Sequence, residues 1–182
     1  MIAVAPTKWP WRRVPVPPPL RAALDPDERI LALASCTDGT VLAASRFGLW
    51  TVQDTLPQRW SWHLISKARL TGEALAVTVA EVVGQLSDGT QVLIDMPVLD
   101  FQLAERSSLT DVVHARVRRS VAASRYLPWR GGGGWVVLRR IPGQDGITRQ
   151  VRLDHGADTD TPGFREAIGA VADDLADESD SG

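Results

Sequence analysis

Cysteine is almost absent from this sequence of 182 residues, which contains Cys36 and no other. A single cysteine excludes an intrachain disulfide bond and any metal site built from several cysteines. It fits a reducing compartment, so we expect a cytoplasmic protein, with peripheral attachment at the inner membrane face as the second location considered. A free cysteine at the end of an apolar strand behaves as a small hydrophobic residue, and we therefore assign Cys36 to the core.

The sequence also lacks a long apolar run. Its most apolar stretch, residues 74–86, is interrupted by Glu81 and Gln85. The stretch is shorter than the ~18 apolar residues that a membrane-spanning helix needs, so we predict no integral membrane segment. Arg12 and Arg13 are followed by prolines instead of the apolar segment of a signal peptide, and no signal peptide is expected.

Motifs for catalysis or metal binding are missing as well. The histidines His63, His114 and His155 are far apart and lack the spacing of a His-Glu-x-x-His site. No Gly-x-Ser-x-Gly elbow is present, and nothing in the sequence places Cys36 beside a histidine. Residues 158–163 resemble the start of a calcium loop, but glycine occupies the position of the bidentate glutamate. We predict no enzymatic activity, cofactor or metal, and keep an enzyme with no recognisable motif as an alternative.

Charge is distributed unevenly, although the formal net charge is only -2. Residues 101–155 contain ten Lys and Arg against four Asp and Glu, whereas residues 156–182 contain one against eight. Such a distribution either attracts a polyanion to the basic segment or neutralises itself within one folded unit. The sequence leaves both interpretations open.

Three Asp-Gly steps, at Asp38-Gly39, Asp88-Gly89 and Asp145-Gly146, each lie between two short apolar stretches. Asp-Gly accepts the positive φ angles of a tight hairpin, so each step predicts two paired antiparallel strands. One further stretch, Arg59 to Arg69, alternates as a strand does, with Trp60 and Trp62 on one face. The predicted strands are residues 28–36, 40–46, 49–53, 59–69, 75–83, 91–96, 121–127, 135–141 and 147–153.

Two helices are predicted from apolar residues that recur with a period near 3.6. The first begins near Ser108, which forms a capping box with Asp111. The second has Thr161 as its N-cap and Pro162 as its first residue. The fold class is therefore α+β and mainly antiparallel β, a barrel or sandwich with two amphipathic helices whose apolar stripes are Leu109, Val112, Val113, Val117 and Val121, and Phe164, Ala167, Ile168, Val171 and Leu175.

The chain is predicted to form one domain between two less regular ends. Residues 1–20 hold half of the twelve prolines and predict an extended arm that is rich in proline and tryptophan. Residues 21–176 form the domain, with residues 100–107 as the place for a sub-boundary. Residues 177–182 are expected to be an acidic disordered tail.

The residues Glu28-Arg29-Ile30-Leu31-Ala32, the following Asp-Gly turn, the stretch from Val41 to Trp50, and Trp62 resemble the opening of bacterial PH-like and GRAM-like domains. The Arg-rich helix, hairpin and last helix are similar to those of a group of uncharacterised actinobacterial proteins. This resemblance covers most of residues 25–176, and it implies a PH-like fold better than any activity. Eukaryotic relatives often bind phosphoinositides through basic loops, whereas residues 36–45 of this chain contain no lysine or arginine.

Two surfaces are candidate binding sites. The first is the N-terminal arm, where aromatic rings beside cations suit a lipid interface or a partner groove. The second is the segment 116–130, where guanidinium and aromatic groups suit phosphates and bases. We interpret the protein as a non-catalytic interaction module for a protein partner, with nucleic acid or anionic lipid binding by residues 116–130 as the alternative. The candidate residues are Trp9, Trp11, Arg12, Arg13, Arg116, Arg118, Arg119, Arg125, Trp129 and Arg130.

Overall fold

The computed structural model describes residues 14–71 and 73–180. These residues form an α+β structure that is mostly antiparallel sheet, as the sequence predicted. The elements in chain order are α1 (Pro18–Ala23), β1 (Ile30–Ser35), β2 (Val41–Ser45), β3 (Gly48–Gln53), β4 (Leu56–Ser61), a 3-10 turn (Trp62–Leu64), β5 (Ile65–Thr71), β6 (Ala74–Gln85), β7 (Gln91–Asp95), β8 (Leu99–Gln102), α2 (Leu109–Ser120), β9 (Val121–Leu127), β10 (Gly134–Arg139), β11 (Thr148–Leu153) and α3 (Phe164–Asp180).

Strands β1 to β4 form a four-stranded antiparallel meander in chain order. The Asp38-Gly39 hairpin is confirmed: Gly39 has φ of 88°, and the Asp38 carboxylate accepts a hydrogen bond from the Thr40 N–H at 2.9 Å. The Asp88-Gly89 hairpin is also confirmed, since it joins β6 to β7. Strands β10 and β11 pair as predicted, but the loop 140–147 joins them, so Asp145-Gly146 is not a tight turn between them. The turn chemistry of this sequence therefore corresponds to real chain reversals.

The second sheet is curled and has the order β5-β6-β7-β11-β10-β9. Strand β6 pairs along one edge with β5, while β7 and β8 share its other edge on either side of a break at residues 96–98. Strands β7 and β11 are the one parallel pair among the described strands. A bridge between Cys36 and Leu103 connects the first sheet to the end of β8.

Helices α2 and α3 cover two separate cores. Helix α2 packs on β1, β2 and β5, and its Leu109 and Val113 enter the core between the two sheets, around the fully buried Trp62. Helix α3 packs on β9 and β10 and buries Phe164 and Ile168 against the second sheet. A smaller cluster around Leu20 of α1 covers the outer face of the first sheet.

The predicted strand at residues 59–69 is wrong, because the chain breaks it at Trp62. The Trp62 indole N–H donates to the Ser45 carbonyl at 3.2 Å, and its backbone N–H donates to the Phe47 carbonyl at 3.4 Å. These bonds to the β2–β3 turn stop the strand, so that β4 and β5 belong to different sheets. Pro57, which lies between the predicted strands 49–53 and 59–69, is part of β4, where it is tolerated because β4 is an edge strand.

The structure also corrects the helix ends, and α1 adds a third helix that includes residues 18–20 of the predicted extended arm. Proline is tolerated in a first helical turn because the N–H it lacks has no helical partner there. Ser107 caps α2 in place of Ser108, since the Ser107 hydroxyl accepts from the Leu109 N–H at 3.2 Å and the Ser108 side chain makes no cap bond. Helix α3 begins after Gly163, whose φ of 79° is not helical, and continues through the predicted tail to Asp180.

Candidate functional site

An apolar groove of about 680 Å³ opens between the two sheets beside β4, and we call it the β4 groove. One wall is β4 with the 3-10 turn, the second is β6, and the third is the break between β7 and β8. Trp60 and Leu64 belong to the floor, since both pack on the core between the sheets. The lining residues are Gln58, Trp60, Leu64, Val79, Ala80, Glu81, Val82, Met96, Pro97 and Leu99.

The rim of the β4 groove exposes large apolar side chains. Val82 and Met96 are 43% and 40% exposed, and Val98 beside them is 55% exposed. Below this rim the floor is firmly packed, because Trp60 lies against the Phe101 ring with 6.3 Å between ring centroids. Clustered apolar exposure above a packed floor is typical of a binding surface, whereas single exposed apolar residues are common on any protein.

Strand β4 has one free edge, because β3 is its one partner among the described strands. A free edge presents unpaired backbone N–H and C=O groups that can pair with another extended chain. Pro57 lacks an N–H and limits such pairing in the first half of the strand. The second half, which carries Gln58 and Trp60, borders the groove.

The buried carboxylate of Glu28 holds β4 through Arg59, which is not among the residues that line the groove. The Glu28 side chain is fully buried and accepts hydrogen bonds from the Ser45 hydroxyl, from the Trp50 indole N–H at 2.8 Å and from Arg59 at 3.0 Å. Arg59 also donates to Asp25 at 2.7 Å and lies over the Trp50 ring at 5.3 Å. The hydrogen bond to Asp25, together with both negative charges, raises the pKa of Arg59. This network joins the loop before β1 to the edge strand of the groove.

The structure divides the basic segment between two places. Arg125 on β9 forms ion pairs with Asp174 at 3.4 Å and Glu178 at 2.6 Å, both on the acidic helix α3. Trp129 stacks on Phe164 with 5.2 Å between ring centroids, and thus packs against the core under α3. These two residues are engaged within the chain.

The other predicted residues of the basic segment remain accessible. Arg118 and Arg119 are exposed on α2, Arg116 is half-buried on the same helix, and Arg130 is exposed in the turn after β9. Trp9, Trp11, Arg12 and Arg13 of the predicted arm lie outside the described residues.

Arg139, which is not among the residues predicted from the sequence, is buried at the end of β10 with 5% exposure. Its guanidinium donates to the Ser120 hydroxyl at 2.6 Å and to the Ile65 carbonyl at 3.3 Å, and so connects β10 to α2 and β5. Burial, and then the charge of Arg152, lowers the pKa of Arg139 to about 10. Burial and the nearby Arg139 charge also lower the pKa of His63. The one feature of the sequence that could have indicated this burial is the position of Arg139 at the end of an apolar predicted strand.

No protein-family model matches the chain, and a search of curated proteins found no match. Among residues 14–71 and 73–180, no group of three or more His, Cys, Asp or Glu side chains is placed to hold a metal ion. None of the helices in this part of the chain is long and apolar enough to span a membrane.

Proposed function

We propose that this protein is a non-catalytic binding module with a PH-like fold, and that it binds an extended apolar segment of a partner protein in the β4 groove. The observation that carries the proposal is the position of the groove. Its apolar rim and floor lie directly beside the free edge of β4. A segment that enters the groove thus meets apolar side chains and backbone hydrogen-bonding groups together.

The free edge favours a peptide over a lipid tail. An extended peptide can add to an exposed strand through its main chain and place alternate side chains into a neighbouring groove. An acyl chain would cover the same apolar surface but would leave the backbone groups of β4 without partners, which is costly once water is removed. Because Pro57 limits pairing in the first half of β4, the free edge of this strand fits a short peptide strand of a few residues.

The arrangement of residues 14–71 and 73–120 supports the PH-like part of the proposal. A four-stranded meander packs on β5, β6 and β8, and α2 closes the core between them. Strands β9 to β11 and α3 extend this unit through the parallel pairing of β11 with β7. The extension covers the second sheet and leaves the β4 groove open.

A peptide-display selection tests the proposed function. The immobilised full-length chain is used to select from a phage library of random 12-residue peptides, and the affinity of the selected peptides is measured by fluorescence polarisation. We expect sequences with alternating apolar residues, and at least tenfold weaker binding to Val82→Glu and Met96→Glu, because a charge in the groove must be desolvated.

Ile147→Glu is the matched control, since Ile147 is 45% exposed but lies on the hairpin between β10 and β11. This variant has the same change in charge and should bind the peptides as the unsubstituted chain does. Selected peptides that bind Val82→Glu and Met96→Glu without loss would contradict the proposal.

A further inference from the structure

A second feature, independent of the β4 groove, is a group of arginines around Ser120, the last residue of α2. The Ser120 hydroxyl accepts the 2.6 Å hydrogen bond from Arg139, and the Ser120 carbonyl accepts from the Arg140 N–H at 2.8 Å. Arg119 precedes Ser120, and Arg116 lies one helical turn before it. The end of β10 and the end of α2 therefore bring four arginines to one place.

Trp62 brings a fifth arginine to the same place. The Trp62 carbonyl lies 3.4 Å from the Ser120 hydroxyl, and the Trp62 N–H groups bind the carbonyls of Ser45 and Phe47. Arg46 lies between these two residues in the β2–β3 turn. Burial, and then the positive charges of Arg119 and Arg46, lowers the pKa of Arg116.

These five arginines have no carboxylate partner among the described residues. The ion pairs of the described residues are formed by other cations, namely Lys67, Arg59, Arg125, Arg149, Arg152 and Arg165. The C-terminal dipole of α2 offers roughly half a negative charge, which does not balance five cations. The hydrogen bonds of the buried Arg139 go to a hydroxyl and a carbonyl.

We propose that Arg46, Arg116 and Arg119 form a binding site for a phosphate group, and that Arg139 beneath them adds positive potential. Several guanidinium groups around one point match the charge and the several acceptor oxygens of a phosphate dianion better than a single carboxylate does. Two elements supply the ligands, the β2–β3 turn and α2, and Trp62 holds them together. The phosphate is either free in solution or presented by a lipid headgroup.

The test measures binding of inorganic phosphate to the full-length chain by isothermal titration calorimetry at constant ionic strength. A second arm measures binding to phosphatidylcholine vesicles with and without phosphatidic acid. We expect saturable binding in at least one arm, weakened about tenfold or more in Arg116→Gln and in Arg119→Gln, because each substitution removes a charge-assisted hydrogen bond. Binding of inorganic phosphate identifies a soluble ligand, and binding to acidic vesicles alone identifies a lipid.

Arg130→Gln is the matched control, since Arg130 is exposed and lies outside the group around Ser120. Arg130→Gln should bind phosphate or acidic vesicles as the unsubstituted chain does. Val82→Glu in the β4 groove should also bind them unchanged, so a failure of the phosphate proposal can be told apart from a failure of the peptide proposal. Without phosphate, Arg116→Gln should be no less stable to heat than the unsubstituted chain, because the substitution relieves repulsion between like charges.

Three results would overturn the proposal. The first is no saturable binding in either arm, and the second is an equal loss in Arg130→Gln. The third is binding of a single-stranded oligonucleotide alone, with a salt dependence that corresponds to several phosphates, which would assign the arginines to a nucleic-acid backbone.

Discussion

Cys36 follows β1 and is 5% exposed, in the core between the two sheets. Burial, and then the negative charge of Asp38, raises the pKa of the Cys36 thiol to about 11. The thiolate is the reactive form of cysteine, so the raised pKa keeps Cys36 in the protonated form, which is a poor nucleophile. The assignment of Cys36 to the core is thus confirmed.

We predict that Cys36 in the folded protein reacts very slowly with the thiol reagent DTNB at pH 8. A rise of the pKa from 9.0 to about 11 lowers the thiolate fraction at that pH about 100-fold. The measurement compares the labelling rate with that of Ser124→Cys in a Cys36→Ala chain, where Ser124 is an exposed position. The rates should become similar in denaturant, and similar rates in the folded state would refute the prediction.

At the scale of elements, β4 owes its position to partners far away in the sequence. Glu28 precedes β1 and accepts hydrogen bonds from Ser45, Trp50 and Arg59, so it connects the end of β2 with the middle of β3 and of β4. The strand itself is short, polar in part and free along one edge. The Glu28 network therefore holds one wall of the β4 groove.

We predict that Glu28→Ala lowers the free energy of unfolding by about 1.5–3 kcal/mol, the range for hydrogen bonds to charged groups. The substitution leaves the Trp50 indole N–H without its acceptor and takes one carboxylate from Arg59. Urea denaturation measures the change. Asp27→Ala is the control at an exposed acidic residue nearby and should change stability little. An equal effect of the two substitutions would show that the network does not hold β4.

At the scale of the whole molecule, the second sheet joins the two cores. Leu75 and Val77 of β6 belong to the core under α2, whereas Val92 of β7 and Val136 of β10 belong to the core under α3. Strands β6 and β7 are hydrogen-bonded to each other, and Arg139 adds a direct link from β10 to α2 and β5. We therefore expect both cores to unfold together.

We predict that Leu138→Ala, in the core under α3, lowers the free energy of unfolding by about 2–5 kcal/mol and does so for both cores. Hydrogen exchange of the β2 and β10 amides measures the two regions separately. Leu56→Ala is the control, because Leu56 is 78% exposed and its loss creates no cavity. Faster exchange in β10 with unchanged exchange in β2 would show that the C-terminal part unfolds alone.

Elements whose signal is local were predictable. Gly39, Gly89 and Gly146 have φ angles of 87° or 88°, and the need for such angles is visible in the sequence as Asp-Gly. Strand β8 was missed, because its four residues follow Pro97 and are too few to show an alternation. The ends of α3 differ from the prediction because Gly163 blocks an earlier start and the acidic residues continue the helix.

The candidate site was less predictable than the fold. The basic segment was visible, but the sequence could not show that Arg125 pairs with α3, or that burial and the positive charges of Arg119 and Arg46 lower the pKa of Arg116. The β4 groove had no signal of its own, since its walls come from β4, β6 and the β7–β8 break. Trp60 was expected to lie in one long strand with Trp62.

The sequence alone determined the class of fold, the Asp-Gly hairpins at residues 38–39 and 88–89, and the apolar stripes of α2 and α3 except for Val121, which begins β9. Turn angles and helical periodicity are properties of neighbouring residues. Tertiary structure decided the break at Trp62, the burial of Arg139 and the edge that β7 and β8 share on β6. The first two depend on hydrogen bonds between residues 15 or more positions apart, such as Trp62 to Ser45 and Arg139 to Ser120, and the third depends on the pairing of β8 with β6 across the intervening β7. The surfaces proposed for binding arise where such elements meet, and for that reason they became visible in the folded chain.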